Sequence, residues 1–246
     1  MKRKLLIVFL FLPIFLLSQE SSNVKLSTGV DFVSSYNWRA IDFGNSPAIQ
    51  PYLGLSAFGF DFTIWGSHSI MANEVINEKK VAFTEIDLIL RYSQTFDFGT
   101  LYTEMVDFYY PFMGEKFSNY KGVEDGVSKG AHWINLAVGY QGSETFPLSL
   151  KVDFGILNDV DNNIYIEAGY TFDVNKMPLN IFMGLAKGKD KSDLYGIEDS
   201  KIALINCGFG TSKEIKITDN FSLPISTQLI TNPYASKVFL VFKVSL

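Results

Sequence analysis

Apolar and polar side chains alternate with period two along almost the whole chain after residue 23. Such a repeat places successive side chains on opposite faces of a strand. Twelve segments read this way, at about 24–36, 47–58, 60–69, 81–94, 98–111, 132–141, 147–156, 163–173, 178–187, 200–210, 221–230 and 237–246. In the fourth, Ala82, Thr84, Ile86, Leu88, Leu90 and Tyr92 face one way and Glu85, Asp87, Ile89, Arg91 and Ser93 the other. In the seventh, Leu148, Leu150, Val152, Phe154 and Ile156 oppose Ser149, Lys151, Asp153 and Gly155.

Alternation alone does not say which face is buried, since a soluble sandwich or lipocalin-like barrel carries the same repeat. Four features favour a membrane barrel with its apolar face outward. Connections alternate between short turns (Gly59, Thr95–Asp97, Gly142–Phe146, Val174–Met177, Glu214–Asn220) and mostly longer loops near 37–46, 70–80, 112–131, 157–162, 188–199 and 231–236. That rhythm belongs to outer-membrane barrels with an even strand number. Aromatics collect at strand ends. Phe58, Phe60, Tyr92, Phe96, Phe98, Tyr140, Phe146, Tyr170, Phe172 and Phe221 fall at the short-turn rim, and Tyr36, Trp38, Tyr109, Tyr110, Phe112, Trp133 and Tyr234 at the other, as two girdles would require. The polar face is rich in glycine and serine (Ser27, Gly29, Gly54, Ser56, Ser67, Gly139, Gly155, Gly169, Gly184), which suits an enclosed lumen. The last strand ends on Leu246, apolar though not the usual aromatic. The expected fold is all-β, a transmembrane up-and-down antiparallel β-barrel of about twelve strands.

The first residues supply an export route. Lys2, Arg3 and Lys4 precede an apolar run from Leu5 to Leu17 broken only by Pro13, and small and polar residues follow from Ser18. This is the pattern of a signal peptide, expected to be cut after Ser18 and too short to span a bilayer as a helix. Residues 19–246 then form one barrel, with no linker dividing them. The formal net charge is −5, more negative without the three basic residues of the leader, which excludes nucleic acid as a partner. The single cysteine, Cys207, makes neither an internal disulfide nor a thiolate metal cluster.

Over about residues 34–111 the chain resembles a family of exported bacterial proteins described as TorF-like porins, proteins of unknown function. The resemblance rests on Ser35-Tyr36-Asn37-Trp38-Arg39-Ala40, Pro47-Ala48-Ile49-Gln50, Trp65-Gly66-Ser67, Glu85-Ile86-Asp87, Tyr92 and Tyr109-Tyr110-Pro111. Ala40 departs from the family, which prefers glycine there. The resemblance implies an outer-membrane barrel, a pore, and no enzyme.

Candidate chemistry is sparse. His68 lies between Ser67 and Ser69, but strand neighbours point to opposite faces, so a Ser–His pair of an outer-membrane hydrolase is poorly placed. His132, beside Trp133, reads as an interfacial polar side chain. Asn158–Asn163 spaces Asp159, Asp161 and Asn163 like a calcium loop but lacks its glycine and terminal glutamate. No cofactor or metal is expected. The inward charges Asp31, Glu85, Asp87, Arg91, Glu104, Lys151, Asp153 and Glu167 are the candidate functional residues, expected near mid-height apart from a lower Arg91. They read either as a rigidifying ion-pair network or as the lining of a narrow, cation-preferring pore. The leading expectation is a monomeric barrel in the outer membrane, in contact with its lipid and passing small solutes or ions. The alternatives are a closed barrel with a structural or adhesive role through its outer loops, mainly 112–131 and 188–199, and, third, a hydrolase.

Overall fold

The structure is a computed structural model that describes residues 24–187, 194–197 and 201–246. The signal-peptide reading of residues 1–18 and most of the 188–199 loop lie outside these residues. Among the described residues the fold is all-β, a closed antiparallel barrel of twelve strands. The strands are β1 Lys25–Val33, β2 Ala48–Ala57, β3 Phe60–Ser69, β4 Thr84–Phe96, β5 Gly99–Tyr109, β6 His132–Gly142, β7 Leu148–Leu157, β8 Ile164–Val174, β9 Met177–Lys187, β10 Ile202–Thr218, β11 Phe221–Asn232 and β12 Lys237–Ser245. Order around the barrel is order along the chain, and β12 returns to β1 through the pairs Asp31–Ser245, Phe32–Val244 and Val33–Lys243. A Lys243 Nζ to Asp31 Oδ2 ion pair at 3.2 Å lies on the same seam.

Each predicted strand is present. The tenth is longer than its pattern suggested, running to Thr218, and the expected Glu214–Asn220 connection shrinks to Asp219-Asn220. Alternation continues through Lys213, Ile215 and Ile217, so this stretch stays extended and pairs with the start of β11. It projects as a two-stranded ribbon, because β9 pairs with β10 only as far as Thr211 and β12 meets β11 only from Ile225.

The apolar face points outward. Leu53, Phe62, Leu90, Val138, Ile166, Met183 and Leu240, spread around the wall, are all exposed. A soluble monomer rarely carries an apolar surface that encircles it. At the short-turn rim Phe96 stacks on Phe98 at 5.2 Å and Phe60 meets Tyr92 at 4.8 Å, with Phe58 and Phe146 exposed beside them. That girdle is as the sequence predicted.

The second girdle is present only in part, with Tyr234 exposed. Tyr36 is buried, and Trp38, Tyr110, Phe112 and Trp133 line an interior cavity. Position at a strand end fixes the height of a side chain, but it fixes in or out only while the chain keeps its strand parity. After Val33 the chain leaves the wall and forms a hairpin, Tyr36–Trp38 paired with Ile41–Phe43, that is packed into the interior.

The small inward residues make room for large ones. Tyr102 lies over Gly139, its cross-strand partner, and Tyr165 lies over Gly184. A Cβ on Gly184 would sit 2.1 Å from the Tyr165 hydroxyl oxygen and 2.6 Å from Cζ. The Tyr165 ring has little freedom to yield, being covered by Arg39 at 4.0 Å and bonded to Glu167. Gly184→Ala should therefore lower unfolding free energy by about 1–3 kcal/mol, read as a shift in urea midpoint, the usual cost of overpacking.

Candidate functional site

The hairpin turn carries the centre of the site. Arg39 and Ala40 both have positive φ, 52° and 57°, the backbone of a two-residue type I′ turn. A left-handed residue other than glycine costs roughly 1–2 kcal/mol, which accounts for the resembled family's glycine at the second position. Here Ala40 is 2 % exposed and packs against Ile230 and Val241, so its methyl recovers about 0.8 kcal/mol by burial.

Arg39 latches the hairpin across the barrel. Its Nη2 lies 2.9 Å from Asp153 Oδ2 on β7, and its Nη1 donates to the Tyr195 hydroxyl at 2.6 Å. The guanidinium also covers the rings of Trp38 (4.1 Å) and Tyr165 (4.0 Å). Burial pushes the Tyr195 hydroxyl up to about 12 against the pull of Arg39, so it meets Arg39 as a neutral phenol. Asp153 is then the anion that balances this cation, and it accepts a further bond from Asn135 Nδ2 at 2.7 Å.

The predicted inward charges divide into four groups. Glu104 on β5 holds both Arg91 and Lys151. Arg91 Nε donates to Glu104 Oε2 at 2.9 Å and Lys151 Nζ to Oε1 at 2.8 Å, with Asp153 4.0 Å from the same ammonium. Glu167 accepts from the Tyr165 hydroxyl and from Asn206 Nδ2 at 3.0 Å. Asp31 pairs with Lys243 at the seam. Glu85 and Asp87 stand apart near the long-loop end of β4, under the hairpin and not at mid-height. The Tyr36 and Tyr110 hydroxyls approach the Glu85 carboxyl, yet Glu85 Oε2 and Asp87 Oδ1 have no hydrogen-bond partner. Two like charges side by side without a cation are unfavourable in a dry interior.

The hairpin separates the interior into compartments. Cavities of about 200 and 190 Å3 lie along it, and half-buried Asn37, whose two amide atoms are covered and unpartnered, lines both. A third, of about 320 Å3, lies between the hairpin and the long loops. Toward the short-turn rim the interior is wetter. The Arg91 side chain is 41 % exposed there, against 7 % for Arg39.

Among the described residues neither histidine is bonded to a serine. His68 is exposed and its Nδ1 meets Thr84 Oγ1 at 2.9 Å, while Ser67 turns inward to Gln50. His132 is fully buried, which corrects its reading as interfacial. Its parity is outward, but the 112–131 loop folds over it. Nδ1 lies 2.7 Å from Asp107 Oδ1, the Nε2–H donates to the Phe117 carbonyl at 2.6 Å, and Tyr120 stacks on the ring at 3.8 Å. One nitrogen thus holds the loop directly and the other holds Asp107 of β5, which in turn accepts from the Tyr120 hydroxyl of the loop. Asp159 accepts from the backbone of Asp161 and Asn163, a local turn where the sequence hinted at a calcium loop. Cys207 contacts Thr231 Oγ1 at 3.0 Å.

A closed twelve-strand barrel, apolar outside and polar within, with an internal hairpin held by a buried arginine, is compatible with a protein of the outer membrane. The chain belongs to Gcw_chp, a bacterial protein family of unknown function whose model matches residues 18–216. This match covers more of the chain than the resemblance over residues 34–111, and it carries no tie to TorF-like porins in particular. A comparison with curated proteins found no match.

Proposed function

We propose that the protein is an outer-membrane channel for small solutes, cation-preferring and closed at rest by the Tyr36–Phe43 hairpin. The observation that carries this reading is the Arg39 latch. It holds a segment of chain inside the lumen through a guanidinium that is 7 % exposed and paired with Asp153 of β7. Below the latch the lumen is partly hydrated and charged. Above it the acids Glu85 and Asp87 have no neutralising base among the described residues. On this reading the protein catalyses no reaction, and its surroundings are membrane lipid, ions and small solutes.

Purified protein should migrate anomalously on gels unless heated, require detergent for solubility, and give brief, small, cation-preferring openings in planar bilayers. Recovery from the periplasm without detergent would defeat the membrane assignment. A barrel that inserts but never conducts would favour a second reading, a closed barrel acting through its outer loops. The ordered 112–131 loop, clamped by His132, Asp107 and Tyr120, is the observation on that side.

A further inference from the structure

The 320 Å3 cavity between the hairpin and the long loops has an unusual lining. Trp38, Phe43, Phe108, Tyr110, Trp133 and Tyr195 form its walls, Glu85 stands in it, and no lysine, arginine or histidine is among the described residues that line it. Three of those lining residues hold an oxygen without a partner: Glu85 Oε2, Asn163 Oδ1 and Ser128 Oγ. Glu85 is only 2 % exposed, so bulk water does little to solvate its carboxylate. The cavity's other carboxylates are already engaged, Asp153 by Arg39 and Asn135, and Asp159 by backbone amides.

We propose that this cavity binds a small organic cation, a primary ammonium group carried on an apolar or aromatic body. The faces of aromatic rings attract a cation and exclude hydrated metal ions, which hold their water too tightly to shed it among phenyl groups. The ammonium N–H donors match oxygens that lack partners, and the apolar body fills walls that offer it few polar atoms. A cavity near 300 Å3 is at the small end of ligand pockets, which limits the guest to about a dozen heavy atoms. A neutral apolar guest would leave Glu85 unneutralised, and an anion would face three carboxylates. Binding at this site does not require that the barrel conduct, so it stands or falls apart from the channel reading.

The test is a titration of folded, detergent-solubilised protein with 2-phenylethylammonium, followed by tryptophan fluorescence, since Trp38 and Trp133 line the cavity. Saturable quenching is expected, and the neutral isostere 2-phenylethanol should bind at least about tenfold more weakly. Glu85→Gln should weaken the ammonium to the level of the alcohol. Trp133→Leu, which keeps the carboxylate, should weaken both probes. Heat-modifiable migration establishes that each variant is folded. Equal binding of ammonium and alcohol to the native protein would overturn the proposal, as would the absence of saturation in the millimolar range. Native affinity in a folded Glu85→Gln variant would do so as well, marking Glu85 as a protonated structural group. The comparison of the two probes on native protein decides the matter even if neither variant folds.

Discussion

Arg39→Ala is expected to convert brief openings into long-lived ones and to raise the mean current severalfold, while making the barrel easier to unfold. Truncating one partner of a buried ion pair costs roughly 3–5 kcal/mol, mostly through the charge left behind. Asp153 would keep Asn135, and Lys151, now 4.0 Å away, is placed to move toward it, so the loss should fall at the lower end of that range. The larger consequence is for the hairpin. Without the guanidinium it loses its contacts to Asp153 of β7, to the Tyr165 ring and to the Tyr195 hydroxyl, and the hairpin is held only by packing, of Ala40 at the turn and of its aromatic side chains. Arg39→Lys should restore the charge but not the conductance pattern, because a point charge cannot bridge Asp153 and Tyr195 while covering two rings. Native-like gating in Arg39→Ala would show that the hairpin is not held by this residue.

The second large effect has the opposite sign for stability. Replacing Glu85 by Gln together with Asp87 by Asn removes two buried carboxylates that lack a cation, so the barrel should gain of order 1–3 kcal/mol in urea unfolding. The same change should take away most of the channel's cation preference, read as reversal potential in a salt gradient. Elsewhere in the lumen Glu167 is held by the Tyr165 hydroxyl and the Asn206 amide, and three further acids face bases. Glu104 faces Arg91 and Lys151, Asp153 faces Arg39, and Asp31 faces Lys243. That leaves Glu85 and Asp87 as the strongest source of unbalanced negative field, focused by low-dielectric walls. In the native channel the preference should weaken as salt shortens the field, to about 8 Å at physiological strength. Lost stability in the double variant, or unchanged selectivity, would mean that these carboxyls are structural and uncharged.

Much of this barrel was legible before its coordinates. Period two survives at single-sequence level because lumen and exterior impose opposite demands on neighbouring residues. Parity therefore placed Glu85, Asp87, Lys151, Asp153 and Glu167 on the inward face. What parity cannot reach is a chain that leaves the wall. The Tyr36–Phe43 hairpin has two strands of three residues each, too short to show a repeat, and its turn is Arg39-Ala40 where a type I′ turn would usually announce itself with Asn-Gly. Its aromatics consequently read as a lipid girdle. In the sequence Arg39 is marked only by the stretch that resembles other exported proteins, and Tyr195 and Asn206 carry no signal. The His132 clamp was hidden for a related reason. Outward parity is correct for Asp107 and His132, but a loop that folds back over the wall buries them.

Whether the hairpin closes the lumen is tested most directly by a reversible lock. Ala40 packs against Ile230 of β11. Cysteines at these two positions, in a Cys207→Ser background, would tie the closed hairpin to the wall. Planar-bilayer current from this variant should vanish on oxidation and return on reduction, through repeated cycles. Equal current from the oxidised and reduced protein would place the conduction path elsewhere, and silence in both states would make the barrel a closed one.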